Sequence, residues 1–196
     1  MGIPVDATAL DTLFRTARTQ NKWLETPVTT EQLVAIYDLM KWAPTSANSF
    51  PVRIVFVVSG DGKKRLLPLV FEGNRSKVMT APATAIIGYD TRFYDWLPRL
   101  FPHRDMRSAF VDKPQFAEVS AFRNSSLQGA YFMLAARALG LDCGPMSGFD
   151  NEGVDREFFP GGRVKSNFIC ALGYGDPSGV HDRLPRPSFN EVCQVV

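Results

Sequence analysis

Ala43-Pro44-Thr45-Ser46-Ala47-Asn48-Ser49-Phe50-Pro51-Val52-Arg53 sets the fold of this chain, because it places a short hydroxyl- and amide-rich loop between an amphipathic helix and an apolar strand. Thr45, Ser46, Asn48 and Ser49 carry short donors and acceptors, and Pro44 and Pro51 stiffen the two ends. Such a loop suits a planar ligand with a polar edge, since its groups need little ordering on binding. A Pro/Ser/Asn cluster taken alone more commonly means a capped, solvated turn. The flanking sequence therefore has to decide between the two meanings.

Upstream, Thr29 and Gln32 form a capping box, Val28 and Leu33 a hydrophobic staple, and Ile36, Tyr37, Met40 and Ala43 continue one apolar stripe until Pro44. A shorter helix is expected over residues 7–18, from the spacing of Leu10, Leu13, Phe14 and Ala17. Downstream, residues 54–58, 83–88 and 167–173 read as strands, the first two as runs covered on both faces. Lys63 to Val70 reads as a short helix, and Pro82 opens the second strand. Pro114 starts a long helix that Gly140 stops, about 26 residues or roughly 40 Å. It is apolar on more than one face, as expected of a helix that crosses a core or a subunit interface.

Composition narrows the function classes. A chain of 196 residues that is 45% apolar can bury one sizeable core, and one domain over residues 1–196 is expected. With 22 basic against 20 acidic residues, the net charge offers no field for nucleic acid or an anionic membrane. Cys143, Cys170 and Cys193 are odd in number, far apart and without a CxxC pair, so neither a disulfide framework nor a zinc site is expected. They suit a reducing cytoplasm, and Cys170, inside an apolar run, reads as a buried inert thiol. The first ten residues lack the basic start and apolar core of a secretory signal, and no apolar run approaches the roughly 20 residues of a membrane span. Two histidines, His103 and His181, make no metal-ligand pattern. Gly173-Tyr174-Gly175 lacks the third glycine and the βαβ context of a dinucleotide site. Neither GxSxG nor a P-loop occurs.

Five segments occur together. They are Arg15-Thr16-Ala17-Arg18, the 43–53 loop, Gly144-Pro145-Met146-Ser147-Gly148-Phe149-Asp150, Leu172-Gly173-Tyr174-Gly175 and Arg186-Pro187-Ser188-Phe189-Asn190-Glu191-Val192. In order and approximate spacing the chain resembles the FMN-dependent nitroreductase family from about residue 10 to its C-terminus. Within that family, residues 41–48, 122–126 and 144–150 look most like the malonic semialdehyde reductase subgroup of pyrimidine degradation. The resemblance implies an α+β fold with three α/β/α layers, a central mixed sheet flanked by helices, and a long core or interface helix. It also implies a homodimer with FMN held between subunits.

FMN asks for cations on its phosphate, polar groups along its pyrimidine edge and an open ring face. The resemblance carries Arg15, Thr16, Arg18, Arg183 and Arg186 onto the phosphate, with Arg18 and Arg186 preferred; a guanidinium fork matches phosphate oxygens. Thr45, Ser46 and Asn48 inherit cofactor contacts, although Thr45 and Ala47 depart from the commonest loop and Phe50 replaces a frequent glutamine. Pro145, Met146, Ser147 and Gly148 are expected to pass their backbone beside the ring, where Gly148 has no Cβ to clash. Asn124 and Ser125 are polar within an apolar helix and remain unassigned. No catalytic side chain and no metal are expected, because the ring carries the chemistry.

The implied reaction is ping-pong: NADH or NADPH reduces FMN, and the flavin then reduces malonic semialdehyde to 3-hydroxypropionate. An acidic substrate calls for a cation near the ring. Arg99, Arg104, Arg107 and Arg123 all lie in the right stretch, with Arg107 and Arg123 the candidates carried forward. The alternatives are a broad nitroreductase or quinone reductase, and, from another class, a flavin carrier or sensor without turnover.

Overall fold

Alternating side chains in four short apolar runs let one sheet bury both of its faces, and a computed structural model describing residues 2–196 shows the result. In chain order the elements are α1 (Ala7–Leu10), α2 (Thr30–Met40), β1 (Val52–Val57), α3 (Gly60–Leu66), α4 (Glu72–Thr80), β2 (Ala83–Asp90), α5 (Leu97–Leu100), α6 (Pro114–Ala138), β3 (Asp142–Met146), α7 (Asn151–Phe158), β4 (Val164–Gly173) and α8 (Phe189–Val192). The strands form one sheet in the order β1-β2-β4-β3. All three pairings are antiparallel. The parallel component expected of a mixed sheet is confined to one isolated bridge, Thr19 with Cys143.

Period-two alternation divides the core into two faces. Val52, Ala85, Ile87, Cys143, Cys170 and Leu172 pack with Leu33, Ile36 and Met40 of α2 and Phe132, Ala135 and Ala136 of α6. Val57, Ile86, Met146, Ile169 and Ala171 face the other way, onto Leu66, Val78 and Val154 of α3, α4 and α7. The expected three layers follow. β2 is buried along its whole length, whereas β1, at an edge, is only partly covered. A third cluster, including Phe93, Leu97 and Phe110, seats residues 91–113 on the first half of α6.

The caps read from sequence are present. Thr29 and Gln32 close the reciprocal capping box that starts α2, and Gly140, at φ +77°, ends α6 in the left-handed conformation. The first helix is shorter than expected, because after Leu10 the chain widens into a π turn over Asp11–Arg15. The segment expected to be a short apolar turn before residue 145 is strand β3, with Pro145 at a sheet edge that tolerates its missing N–H. Among the described residues no helix is long and apolar enough to cross a membrane.

Candidate functional site

Two groups of polar residues emerge, one at each edge of the sheet. At the β1 edge α2 ends, and the chain turns through Pro44 into the loop that precedes β1. Ala47 (φ 50°), Asn48 (φ 49°) and Phe50 (φ 45°) are the non-glycine residues with left-handed backbone among those described. The N–H of Ser46 donates to Asn124 Oδ1 at 2.8 Å, Asn48 Nδ2 donates to the Leu100 carbonyl at 2.9 Å, and the N–H of Val52 donates to Gln128 Oε1 at 3.1 Å. Phe50, which stands where a polar flavin contact was in doubt, packs edge-on against Tyr37. Beneath this edge Asp90 is buried and binds Arg53 at 2.7 Å and Arg163 at 2.7 and 2.9 Å. Arg53 and Arg99 also stack on Trp96, 4.8 and 4.6 Å from its ring centre.

At the β3 edge the N-terminal segment runs beside the strand, tied by Gln20 N–H to the Cys143 carbonyl at 3.0 Å. Arg183 comes back from the C-terminal segment to donate to the Arg15 carbonyl at 2.7 Å, and Arg18 donates to the His181 carbonyl. Arg15 is held by Asp11 at 2.6 Å, and Thr16 Oγ1 donates to the Asp11 carbonyl. Arg18 and Arg183 have no carboxylate partner among the described residues. Arg186, preferred over Arg183 from sequence, hydrogen-bonds among the described residues only to its own neighbours, the Leu184 and Pro185 carbonyls.

The same edge holds the Pro145–Gly148 segment. The Gly148 carbonyl accepts from Phe71 N–H at 3.0 Å and from Asn74 Nδ2 at 3.2 Å. A Cβ on Gly148 would lie 2.5 Å from Asn74 Nδ2, so any side chain there would displace the Asn74 amide from the Gly148 carbonyl. Ser147 is exposed. Lys77, one turn after Asn74, is 8% exposed and lacks an ion pair among the described residues. Its stem lies so close to Gly144 that a Cβ there would be 3.0 Å from Lys77 Cδ. Burial lowers its pKa from the ordinary lysine value, with Cys170 opposing. Gln20 Oε1, buried nearby against Gly175, has no donor.

Asn74 and Lys77 were missed in the sequence. Their signal is positional: Asn74, Lys77 and Val78 share one face of α4, on which Val78 is fully buried. Two polar residues on such a face need partners. Of the two arginines considered for an acidic substrate, Arg107 is taken by Asp95 at 3.4 Å and lies over Tyr94. Arg123 is exposed beside Asn124 and forms no ion pair among the described residues.

Because β1 and β3 are opposite edge strands, three strand spacings, roughly 14 Å, separate the two groups within one chain. A groove of about 880 Å³ along the β1 edge is lined by Val34, Tyr37, Trp42, Ile54 and Trp96 among others. Apolar side chains also stand exposed along α6, at Phe116, Val119, Phe122, Leu127 and Tyr131, and in the C-terminal segment, at Phe189, Val192 and Val195.

Comparison with known proteins places these features in a family. Residues 15–175 match the model of the nitroreductase family. A protein of Polynucleobacter asymbioticus, provisionally named an NADH dehydrogenase/NAD(P)H nitroreductase, is 59% identical over 188 residues, 96% of each chain. A Rhodopseudomonas palustris protein of the same name is 58% identical over 95% of each. Among solved structures, a provisionally assigned nitroreductase from Exiguobacterium sibiricum in complex with FMN superposes with a TM-score of 0.86 at 21% identity, covering 100% of this chain and 99% of that one. An enone reductase of gut-bacterial fatty acid saturation gives 0.86 at 18% identity, covering 98% and 100%.

Proposed function

The chain belongs to the nitroreductase family, and from that premise we propose that it is an FMN-dependent NAD(P)H oxidoreductase that works in the cytoplasm as a homodimer and reduces malonic semialdehyde to 3-hydroxypropionate. The observation that carries the flavin assignment is the β3 edge. There, Arg18, Arg183 and Lys77, whose stem is buried against Gly144, sit without carboxylate partners among the described residues. A partly desolvated cation without a counter-charge favours the arrival of an anion. A phosphate and an electron-rich pyrimidine edge are two such groups on one ligand.

The residues fit FMN. Arg18 and Arg183, with Arg15 and Thr16 beside them, would hold the phosphate by charge-assisted hydrogen bonds. Lys77 would face the pyrimidine edge, and the Pro145–Gly148 main chain would run beside the ring. Thr45, Ser46 and Asn48 would come from the second subunit, because within one chain they stand at the far edge of the sheet. An isologous pairing of two copies would set each β1-edge loop against the other's β3 edge. The exposed apolar row on α6 and the β1-edge groove give such a dimer a contact surface, and the apolar C-terminal segment suits the partner's groove.

Bound FMN supplies a ring that takes up and gives back hydride, so nicotinamide and acceptor react in turn with no protein nucleophile. The chain's own work is to orient ring and substrate, to exclude water, and to place Lys77 where negative charge develops. Arg123, exposed and without an ion pair among the described residues, lies next to the residue that holds Ser46 and is the better placed of the two candidates for a substrate carboxylate. The names of the relatives near 59% identity favour a second reading, a broad nitroreductase or quinone reductase on the same cofactor.

The test is the visible spectrum of the purified protein before and after anaerobic NADH or NADPH. A flavin spectrum that bleaches supports the oxidoreductase, bound flavin that does not bleach points to a carrier, and the lack of any flavin affinity refutes the assignment. Higher kcat/KM for malonic semialdehyde than for nitroaromatics and quinones separates the two acceptor readings.

A further inference from the structure

We propose that Asn124 and Gln128 of α6 are positioning residues that hold the Thr45–Asn48 loop in its cofactor-binding shape; this rests on the flavin reading above. The loop is strained. Ala47, Asn48 and Phe50 all adopt positive φ, a region that of these three residue types only asparagine visits readily. Such backbone persists only where its surroundings over-determine it.

Two side-chain amides do so here. Asn124 Oδ1 accepts from Ser46 N–H at 2.8 Å, just before the strained residues, and Gln128 Oε1 accepts from Val52 N–H at 3.1 Å, just after them. Spaced four residues apart, the two carboxamides share one face of α6, roughly 6 Å apart along the axis. Asn124 is itself fixed, since its Nδ2 donates to the Ser120 carbonyl at 2.8 Å. Both residues are buried, at 4% and 0% exposure.

A helix that only filled this space would carry leucine or methionine, because burying a carboxamide costs free energy unless its bonds are made. Gln128 makes one bond and leaves Nε2 without a partner, and Ser49 Oγ in the same loop is also buried and unpaired. The contact is therefore not tuned for stability alone; what it secures is the path of the loop. The loop's side-chain donors then meet FMN already ordered, and binding is spared that cost.

The orphaned Nε2 supplies a decisive control. Only the oxygen of Gln128 is used, so Gln128→Glu, which burial keeps protonated, retains the acceptor, whereas Gln128→Met keeps the volume and loses it. The experiment is titration of the apo-protein with FMN, followed by flavin fluorescence, for wild type, Asn124→Leu, Gln128→Met and Gln128→Glu. Affinity is expected to fall roughly tenfold in N124L and Q128M and to stay within about twofold of wild type in Q128E. Amide hydrogen exchange of wild type adds a reading free of variants: the Ser46 and Val52 protons are expected to be as protected as those within α6.

Equal FMN affinity across all four proteins, Q128E as weak as Q128M, or Ser46 and Val52 exchanging like open-loop amides would overturn the proposal while leaving the flavin reading intact. Failure of wild type itself to bind FMN removes the flavin reading, and the proposal with it.

Discussion

The two edges of the sheet handle charge in opposite ways. At the β1 edge the guanidinium groups of Arg53 and Arg163 converge on the buried Asp90, whose N–H also ties down the Pro51 carbonyl. The buried charge there is neutralised internally, while the solvent-facing Arg99 and Arg123 form no ion pair among the described residues, and the loop above is shaped by neutral amides. At the β3 edge Arg18, Arg183 and Lys77 meet no carboxylate among the described residues. The first edge keeps its buried charge paired, and the second leaves three cations without a counter-charge among the described residues.

Removing Asp90 strikes the first edge hardest. Asp90→Ala leaves two cations facing a buried gap and is expected to cost about 3 kcal/mol or more, a fall in Tm of roughly 6–12 °C for a chain of this size. Thermal unfolding of the apo-protein measures it, and a shift under about 2 °C would erase the contrast. At the opposite edge Arg18→Ala is expected to weaken FMN binding by about 2 kcal/mol, some thirtyfold, with little effect on riboflavin, which lacks the phosphate. The salt dependence of FMN binding should flatten in the same variant.

Lys77→Met sharpens the comparison in a different way, for it removes the uncompensated charge and keeps the stem. FMN affinity is expected to drop about tenfold, while the apo-protein holds or gains stability. Because burial lowers the folded pKa of Lys77, the unfolded chain binds more protons over the window below the ordinary lysine value of 10.5. The lysine's contribution to stability therefore rises with pH through that window. Denaturant midpoints measured across it should rise more steeply in wild type than in K77M. The smallest effect belongs to Arg186, whose bonds are to its own backbone neighbours. Arg186→Ala is expected to change FMN affinity by less than about threefold, the range of a solvated surface charge.

Much of the fold was legible from local chemistry. The capping box at Thr29, the proline that opens α6 and the glycine that closes it act through near neighbours and stand where the sequence puts them, and the apolar runs of β1, β2 and β4 lie within about three residues of their expected bounds. β3 was not legible, because Gly144 and Pro145 look like turn punctuation until the strand is known to be an edge. Neither were α4 and α7, which are short, rich in polar residues and anchored by few apolar side chains. The site motifs stand out in sequence, but their division between opposite edges depends on strand order, a long-range property that no single segment encodes. Lys77 is hidden for a related reason: it resembles a surface lysine until β3 packs over it.

One complementation experiment tests the composite site most directly. Co-expressed chains carrying either Arg18→Ala with Arg183→Ala or Asn48→Leu would form mixed dimers in which one site has both halves intact and the other has neither. Purified mixed dimers are predicted to bind roughly one FMN per two chains with near wild-type affinity, while each variant alone binds weakly. Mixed dimers that bind no better than their parents would show that both halves of the site lie within a single chain.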